Sequence, residues 1–117
     1  MTTEHNRHGA YKLIAFDNAL RTIEALRDVV ARVRRQDADL ARQIVRAASS
    51  VAANVAEASQ RIGRDRLHLF RIAAGSAEET RAHLQVALAW GYVSTAEIDA
   101  AMKLIGRQLR LLAGLTG

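Results

Sequence analysis

Apolar residues recur along this chain at intervals of three and four, the spacing that gathers them on one face of an α-helix. Phe16, Leu20, Ile23, Leu26, Val30 and Val33 predict a first helix from about Phe16 to Arg35, with Asp17 in its first turn, where the helix dipole favours an acid. Asp37 or Asp39 can start a second, whose seam is Leu40, Ile44, Ala47, Val51, Val55, Ala58 and Ile62 and which Gly63 stops. The third restarts near Asp65, buries Phe70, Ala73, Ala77, Leu84 and Leu88, and ends at Gly91. Ser94 and Glu97 then form a capping box, S-T-A-E, ahead of a fourth helix carrying Ile98, Met102, Ile105, Leu109 and Leu112. No run shows the sustained alternation of a strand. Four helices with short connections predict an all-α fold, an antiparallel up-down four-helix bundle with helices crossing at about 20°. Residues 1–15 read as a polar, flexible N-terminal arm and 16–117 as one bundle domain without a linker.

The pattern holds more apolar surface than one stripe per helix requires. On the third helix a second face carries Ile72, Ser76, Glu79, His83, Val86 and Trp90, and on the fourth Leu104, Leu111 and Leu115 widen the apolar arc. A wide stripe can pack against two neighbours inside one bundle. The preferred reading is a subunit interface formed by Ile72, His83, Val86, Trp90, Leu104, Leu111 and Leu115, which makes the protein a homo-oligomer.

Between Arg46 and Glu79 the two helical faces consist largely of Ala, Ser and Gly, which let backbones approach closely. Polar side chains interrupt them: Ser50, Asn54, Glu57, Ser76 and Glu79. A half-buried Asn or Glu without a partner costs about 1–3 kcal/mol, so these five are expected to form a structural polar network with a neighbouring helix or subunit and to fix its register. A catalytic role for Glu57 and Glu79 is the less favoured reading.

Composition sharpens the picture. Half of the 117 residues are hydrophobic but only 4% are aromatic, so the core must be assembled from Ala, Leu, Ile and Val. There is no Pro to break helices and no Cys, which excludes disulfides and thiolate metal sites and fits a reducing compartment. The segment MTTEHNRHGAYK lacks the apolar core of a secretory signal, and no apolar stretch approaches the roughly 20 residues that span a bilayer. The expected location is cytoplasmic, with no membrane role.

Catalytic and metal-binding patterns are missing. Ferritin-like bundles hold metals with Glu-x-x-His motifs, but Glu79 and His83 are one residue too far apart, and no His follows Glu57. His5 and His8 lie in the arm, and no phosphate-cradling glycine loop or nucleophile elbow occurs. The chain reads as a non-enzyme with no metal and no cofactor.

The formal net charge is +5, and arginine heavily outnumbers lysine. Arginine suits phosphate through its bidentate fork. In an up-down bundle one pole would gather Arg7 and Lys12 from the arm, Arg61, Arg64 and Arg66 from the connection after the second helix, and Arg107 and Arg110 from the fourth, against Glu4 and Asp65. The other pole gathers Arg32, Arg34, Arg35 and Arg42, partly offset by Asp37 and Asp39. Cations at helix ends also serve dipoles and solubility, but Arg64 and Arg66 stand at a helix start, where the dipole disfavours them. The first pole is therefore the candidate contact for an RNA or DNA backbone, without base readout and steeply dependent on salt. A protein-interaction scaffold with solubilising arginines is the alternative.

These residues also carry a resemblance. QIVRAASSVAANVAEAS, a short basic loop, LFRIAAGSAEE and LAWGY, together spanning roughly Ala15 to Leu112, are similar to the 23S rRNA-intervening sequence protein family. The pattern S-x-x-x-N-x-x-E followed by G-S-A-x-E and a terminal G-Y falls on Ser50, Asn54, Glu57, Gly75, Ser76, Glu79, Gly91 and Tyr92. The resemblance implies a small up-down bundle assembled as a ring-like homopentamer. It also implies kinship with the accessory variability determinant of diversity-generating retroelements, a basic protein that binds nucleic acid and assists a reverse transcriptase. Should this chain belong to such an element, a reverse transcriptase is an expected partner. Ala58 departs from the family's usual Gly after the Glu, which would lengthen the second helix slightly.

Overall fold

A computed structural model describes the backbone of residues 3–117 and the side chains from residue 12 onward. Four helices account for nearly all of it: α1 (Thr3–Gln36), α2 (Ala38–Ala58), α3 (Gly63–Ala89) and α4 (Thr95–Thr116). Each helix packs on two neighbours in the cyclic order α1–α2–α3–α4, with α1 opposite α3 and α2 opposite α4. Cross-helix bonds fix the directions. Ser50 meets Ser76 and Arg46 meets Glu79, so α2 and α3 run antiparallel. Asn18 meets Gln108 and Arg32 meets Glu97, so α1 and α4 do as well. The result is the up-down four-helix bundle that the periodicity predicts, 52 Å long and about 20 Å across.

The helix ends follow from local chemistry. Asp37, extended at φ −155°, accepts from the backbone N–H of Leu40 at 2.9 Å and so starts α2. The Ser94–Glu97 capping box forms in both directions, Ser94 N–H to Glu97 Oε1 at 2.8 Å and Glu97 N–H to Ser94 Oγ at 3.2 Å. At the end of α3, Gly91 adopts φ +79°, the left-handed region open to glycine. Its N–H bonds Leu88 O and the following N–H of Tyr92 bonds Ala87 O, a Schellman termination.

The first helix corrects the expected boundary. It begins at Thr3 instead of near Phe16, and Ala15 is fully buried, so the last residues assigned to the arm belong to the bundle. Polar composition suggested an arm, but the segment has no Pro to break a helix, and Gly9 weakens the helix without ending it. At 1.5 Å per residue, the 34 residues of α1 run about 51 Å, the full length of the molecule.

The interior is built from small aliphatic residues around Phe70, Ile44, Leu84, Ile105 and Leu112, each nearly inaccessible to solvent. Phe70 is the largest of them, and truncating it to alanine would cost roughly 3–5 kcal/mol. The expected seam of α2 is buried from Leu40 to Ala58, while Ile62 lies beyond the helix and is exposed. The seam of α1 is turned from expectation: Ala15, Asn18, Ala19, Thr22, Leu26, Val29, Val30 and Val33 face inward, whereas Phe16 and Leu20 are exposed. Small residues inside and large ones outside allow α1 and α4 to approach closely.

Candidate functional site

The antiparallel order brings the start of α1, the α2–α3 connection and the end of α4 to one pole, the arrangement on which the basic cluster was predicted. Its arginines are not equivalent. Arg61 bonds Glu57 at 3.2 Å and approaches Asp65 at 4.0 Å, so two carboxylates offset its charge. Arg107 donates to Asn18 Oδ1 at 3.3 Å and is partly committed to the α1–α4 seam. With Arg110, Leu111 and Gly114 it lines a shallow cleft of about 340 Å³. Arg66 is half-buried, with its Nε enclosed and without a hydrogen-bond partner among the described residues. Lys12 is half-buried, and the side chain of Arg7 lies outside the described residues.

Arg64 is exposed and makes no ion pair among the described residues, and the same is true of Arg71, one turn and a half beyond the predicted cluster. Arg64, His68 and Arg71 stand four and three positions apart and are all exposed, so they share the outward face of α3, where the two arginines make a cationic strip. Sequence reasoning had grouped cations by helix end and passed over Arg71. The i, i+4, i+7 spacing was the signal that would have found it.

At the opposite pole, Arg32 pairs with Glu97 and Arg42 with Asp39 at 2.9 Å, so two of its four arginines are compensated. Asp37 is engaged in capping α2 and stands 3.5 Å from the Tyr92 hydroxyl. Loss of solvent, then the nearby Asp37 charge, raises the Tyr92 pKa above the ordinary phenol value.

The predicted polar network divides into two groups and omits one member. Ser50 Oγ and Ser76 Oγ lie 2.9 Å apart and tie α2 to α3, while Asn54 Nδ2 donates to Ser50 O at 2.8 Å and Ser50 Oγ at 3.0 Å. Separately, Glu79 accepts from Arg46 across the same helix pair and bonds His83 Nε2 at 3.1 Å. The His83 hydrogen bond, supported by Arg46 and opposed by partial desolvation, holds the Glu79 carboxyl below its ordinary pKa. Glu57 takes no part, since it is exposed and among the described residues bonds Arg61 alone. Asn54 thus finds its partner on α2 itself and Glu57 in the connection just beyond it, and neither bonds a neighbouring helix among the described residues.

A carboxylate and an imidazole in contact are the components of general acid–base chemistry or of a metal site. Among the described residues no third His, Asp or Glu joins them, and no such group could hold a metal ion.

The apolar candidates also separate. Ile72 and Val86 are exposed on α3, and Trp90 more so at 70%, its ring stacked on Tyr92 with centroids 6.3 Å apart. His83 is half-buried on the same side. Leu104 and Leu111 are half-buried, Leu111 being packed against the core. Leu115 corrects the expectation: at 6% exposure it belongs to the core, because α4 continues to Thr116 with its apolar seam turned inward. Leu13, Phe16, Leu20 and Val45 supply exposed apolar surface that sequence reasoning did not assign to an interface. They border the α1–α2 side, where Ile23, Leu26, Arg27, Val30, Ile44 and Val45 line an open cleft of about 300 Å³. No described helix is long and apolar enough to cross a membrane.

Comparison with known proteins identifies this architecture. No curated protein matches the sequence. A crystal structure from Bacteroides thetaiotaomicron, described as a protein of unknown function from the S23 ribosomal protein family, superposes with a TM-score of 0.81 over 91% of this chain and 97% of its own, at 20% identity. At that identity the likeness establishes the fold. The model of the 23S rRNA-intervening sequence protein family matches residues 11–114. With nearly the whole bundle inside that match, the chain belongs to the 23S rRNA-intervening sequence protein family.

Proposed function

We propose that this protein is a non-enzymatic, cytoplasmic homo-oligomer that holds the phosphate backbone of RNA or DNA as an accessory factor. The observation that carries the nucleic-acid reading is the pair Arg64 and Arg71, exposed on one face of α3 with no carboxylate partner among the described residues. An arginine left free on a surface where others are paired presents its full donor fork to an anion. Arg110 and the half-buried Arg66 extend the cationic surface toward the pole, and Arg61 and Arg107 contribute less because local partners already engage them. With 4% aromatic residues the chain offers little for base stacking, so the contact is to the backbone and largely independent of sequence.

Assembly is supported by the two exposed apolar surfaces, one beside the α1–α2 cleft and the other along α3. Surfaces on different sides of one molecule suit a head-to-tail contact, which closes into a ring when the rotation between copies permits. Five is the subunit number drawn from the family resemblance. A ring would repeat the α3 strip in each copy and add avidity without any new contact. Where the gene stands beside a reverse transcriptase, that enzyme is the proposed protein partner.

A gel-shift titration with structured RNA and duplex DNA between about 50 and 200 mM salt tests the reading. Binding should weaken steeply with salt and differ little between unrelated sequences. Absence of any shift at low salt, or an affinity indifferent to salt, rejects it in favour of a protein-interaction scaffold.

A further inference from the structure

Halfway along the bundle, eight buried residues surround a cavity of about 10 Å³, and each helix supplies two of them, three positions apart. The small side chains of Ala19, Ala48 and Ala77 leave the space, where longer ones would meet at the axis. Thr22, Thr80 and Gln108 line it with polar atoms, and all three are more than nine-tenths buried.

The hydrogen bonds already made fix what these atoms have left to offer. Arginine only donates, so the bond from Arg107 marks Asn18 Oδ1 as an acceptor and Asn18 Nδ2 as the donor to Gln108. Gln108 therefore turns Oε1 to Asn18, and its Nε2 gives one hydrogen to Ala15 O at 3.0 Å. The second hydrogen of that nitrogen has no acceptor among the described residues. Thr22 and Thr80 donate their hydroxyl hydrogens to Asn18 O and Ser76 O, each at 2.8 Å, and their oxygens remain acceptors. Two acceptors and one donor thus line the cavity.

Size and charge select the occupant. The volume stands at the roughly 10 Å³ at which a cavity first admits one water, and an order of magnitude below the roughly 150 Å³ that takes a small organic molecule. No charged side chain lines the space, so an ion would enter without a counter-charge. Apolar cavities stay dry, but this one offers about the three partners that a buried water usually engages.

We infer that one water is bound here, donating to Thr22 Oγ1 and Thr80 Oγ1 and accepting from Gln108 Nε2. It joins two polar clusters that are otherwise separate: Asn18 and Gln108 between α1 and α4, and Ser50 and Ser76 between α2 and α3. Thr80 leads to the second cluster through Ser76, whose hydroxyl lies 2.9 Å from that of Ser50. Among the described residues no side-chain hydrogen bond crosses the diagonal from α1 to α3, and the water supplies one through the two threonines. The middle of the bundle is then a single hydrogen-bonded layer reaching all four helices, which sets their common height where alanine contacts alone would permit sliding.

The test combines crystallography of the full-length protein with a double-mutant cycle. Crystals diffracting well enough to order solvent should show a density peak within hydrogen-bond distance of Thr22 Oγ1, Thr80 Oγ1 and Gln108 Nε2. Thr22→Val and Thr80→Val keep the side-chain shape and remove one acceptor each, so any coupling between them reports on the hydroxyls and not on packing. Each single variant should lower the unfolding midpoint, and the double variant should lower it by less than the two losses combined, because either change already frees the water. Its crystals should lack the peak. A wild-type cavity without density overturns the inference whether or not the variants fold. Independent losses, or a peak that persists in the double variant, overturn the bridge between the threonines.

Discussion

Asn18 donates to Gln108 Oε1 at 2.8 Å in the interior between α1 and α4, where neither side chain reaches solvent. The pair is fully engaged. Asn18 Nδ2 also donates to Leu104 O at 2.9 Å, Gln108 Nε2 donates to Ala15 O at 3.0 Å, and Arg107 donates to Asn18 Oδ1. Each amide thus clamps the opposing backbone, which makes the α1–α4 register specific in a way that small apolar residues alone would not. Asn18→Ala leaves Gln108 Oε1 without its donor and should destabilise the protein by about 1–3 kcal/mol in urea unfolding. Replacing both residues by leucine removes the orphaned groups together, so the double variant should be more stable than the sum of the single losses predicts. Strict additivity would show that the two amides act independently.

The end of α3 supplies a second expectation. Gly91 at φ +79° occupies a conformation that an L side chain enters at a cost of about 1–2 kcal/mol, although a Cβ there would meet nothing within 4 Å. Gly91→Ala should lower stability by about that amount through backbone strain alone, measured by thermal or denaturant unfolding. Gly91→Asn, whose residue type tolerates the left-handed region better, should recover part of the loss.

The bundle pattern was legible because α2, α3 and α4 place Ile44, Val55, Phe70, Leu84, Ile105 and Leu112 at strict helical intervals, and the requirement to bury such residues admits few alternatives. The three- and four-residue spacing places Phe16 and Leu20 on the core seam, but α1 turns Ala15 and Ala19 inward at the close approach to α4. That choice depends on a neighbour some 90 residues away. Asn18 and Gln108 were missed for the same reason, since a polar residue in a helix reads as solvent-facing until its distant partner is known. The candidate contacts were only partly legible: the i, i+4 spacing of Glu57 and Arg61 is visible along the chain, while the Asn18 contact that engages Arg107 appears only in three dimensions.

Acid should loosen the start of α4. Backbone and side-chain hydrogen bonds with Ser94, and then the Arg32 charge, hold the Glu97 carboxyl below its ordinary pKa despite some desolvation. A carboxyl depressed in the folded state stabilises the fold above its unfolded-state pKa, and that contribution disappears as pH falls through the lower folded value. The wild type should therefore lose stability through the acidic carboxylate range more steeply than Glu97→Gln, which has no proton to take up at that position. Identical pH profiles for the two proteins would remove the cap from the acid response. At the alkaline end the sign reverses, because the raised Tyr92 pKa favours its neutral form in the fold. Stability should fall as pH rises from the ordinary phenol value through the folded one, and Tyr92→Phe should flatten that limb.

Charge reversal separates the arginines of the proposed nucleic-acid surface. Arg64 and Arg71 have no carboxylate partner among the described residues, so an arginine lost from either should remove one full phosphate contact, lowering the magnitude of the log–log salt slope by about 1 per site on duplex DNA. Arg61→Glu removes a cation that Glu57 and Asp65 already offset, and its effect on the slope should be smaller than that of Arg64→Glu. Arg107→Glu has a mixed signature: it weakens binding and also disturbs the Asn18 amide that accepts its hydrogen bond, so its unfolding midpoint should fall while that of Arg71→Glu does not. Arg34→Glu, at the other end of the bundle, serves as the control for net charge. If it reduces retention as strongly as Arg64→Glu, binding follows overall charge and no discrete strip on α3 carries it.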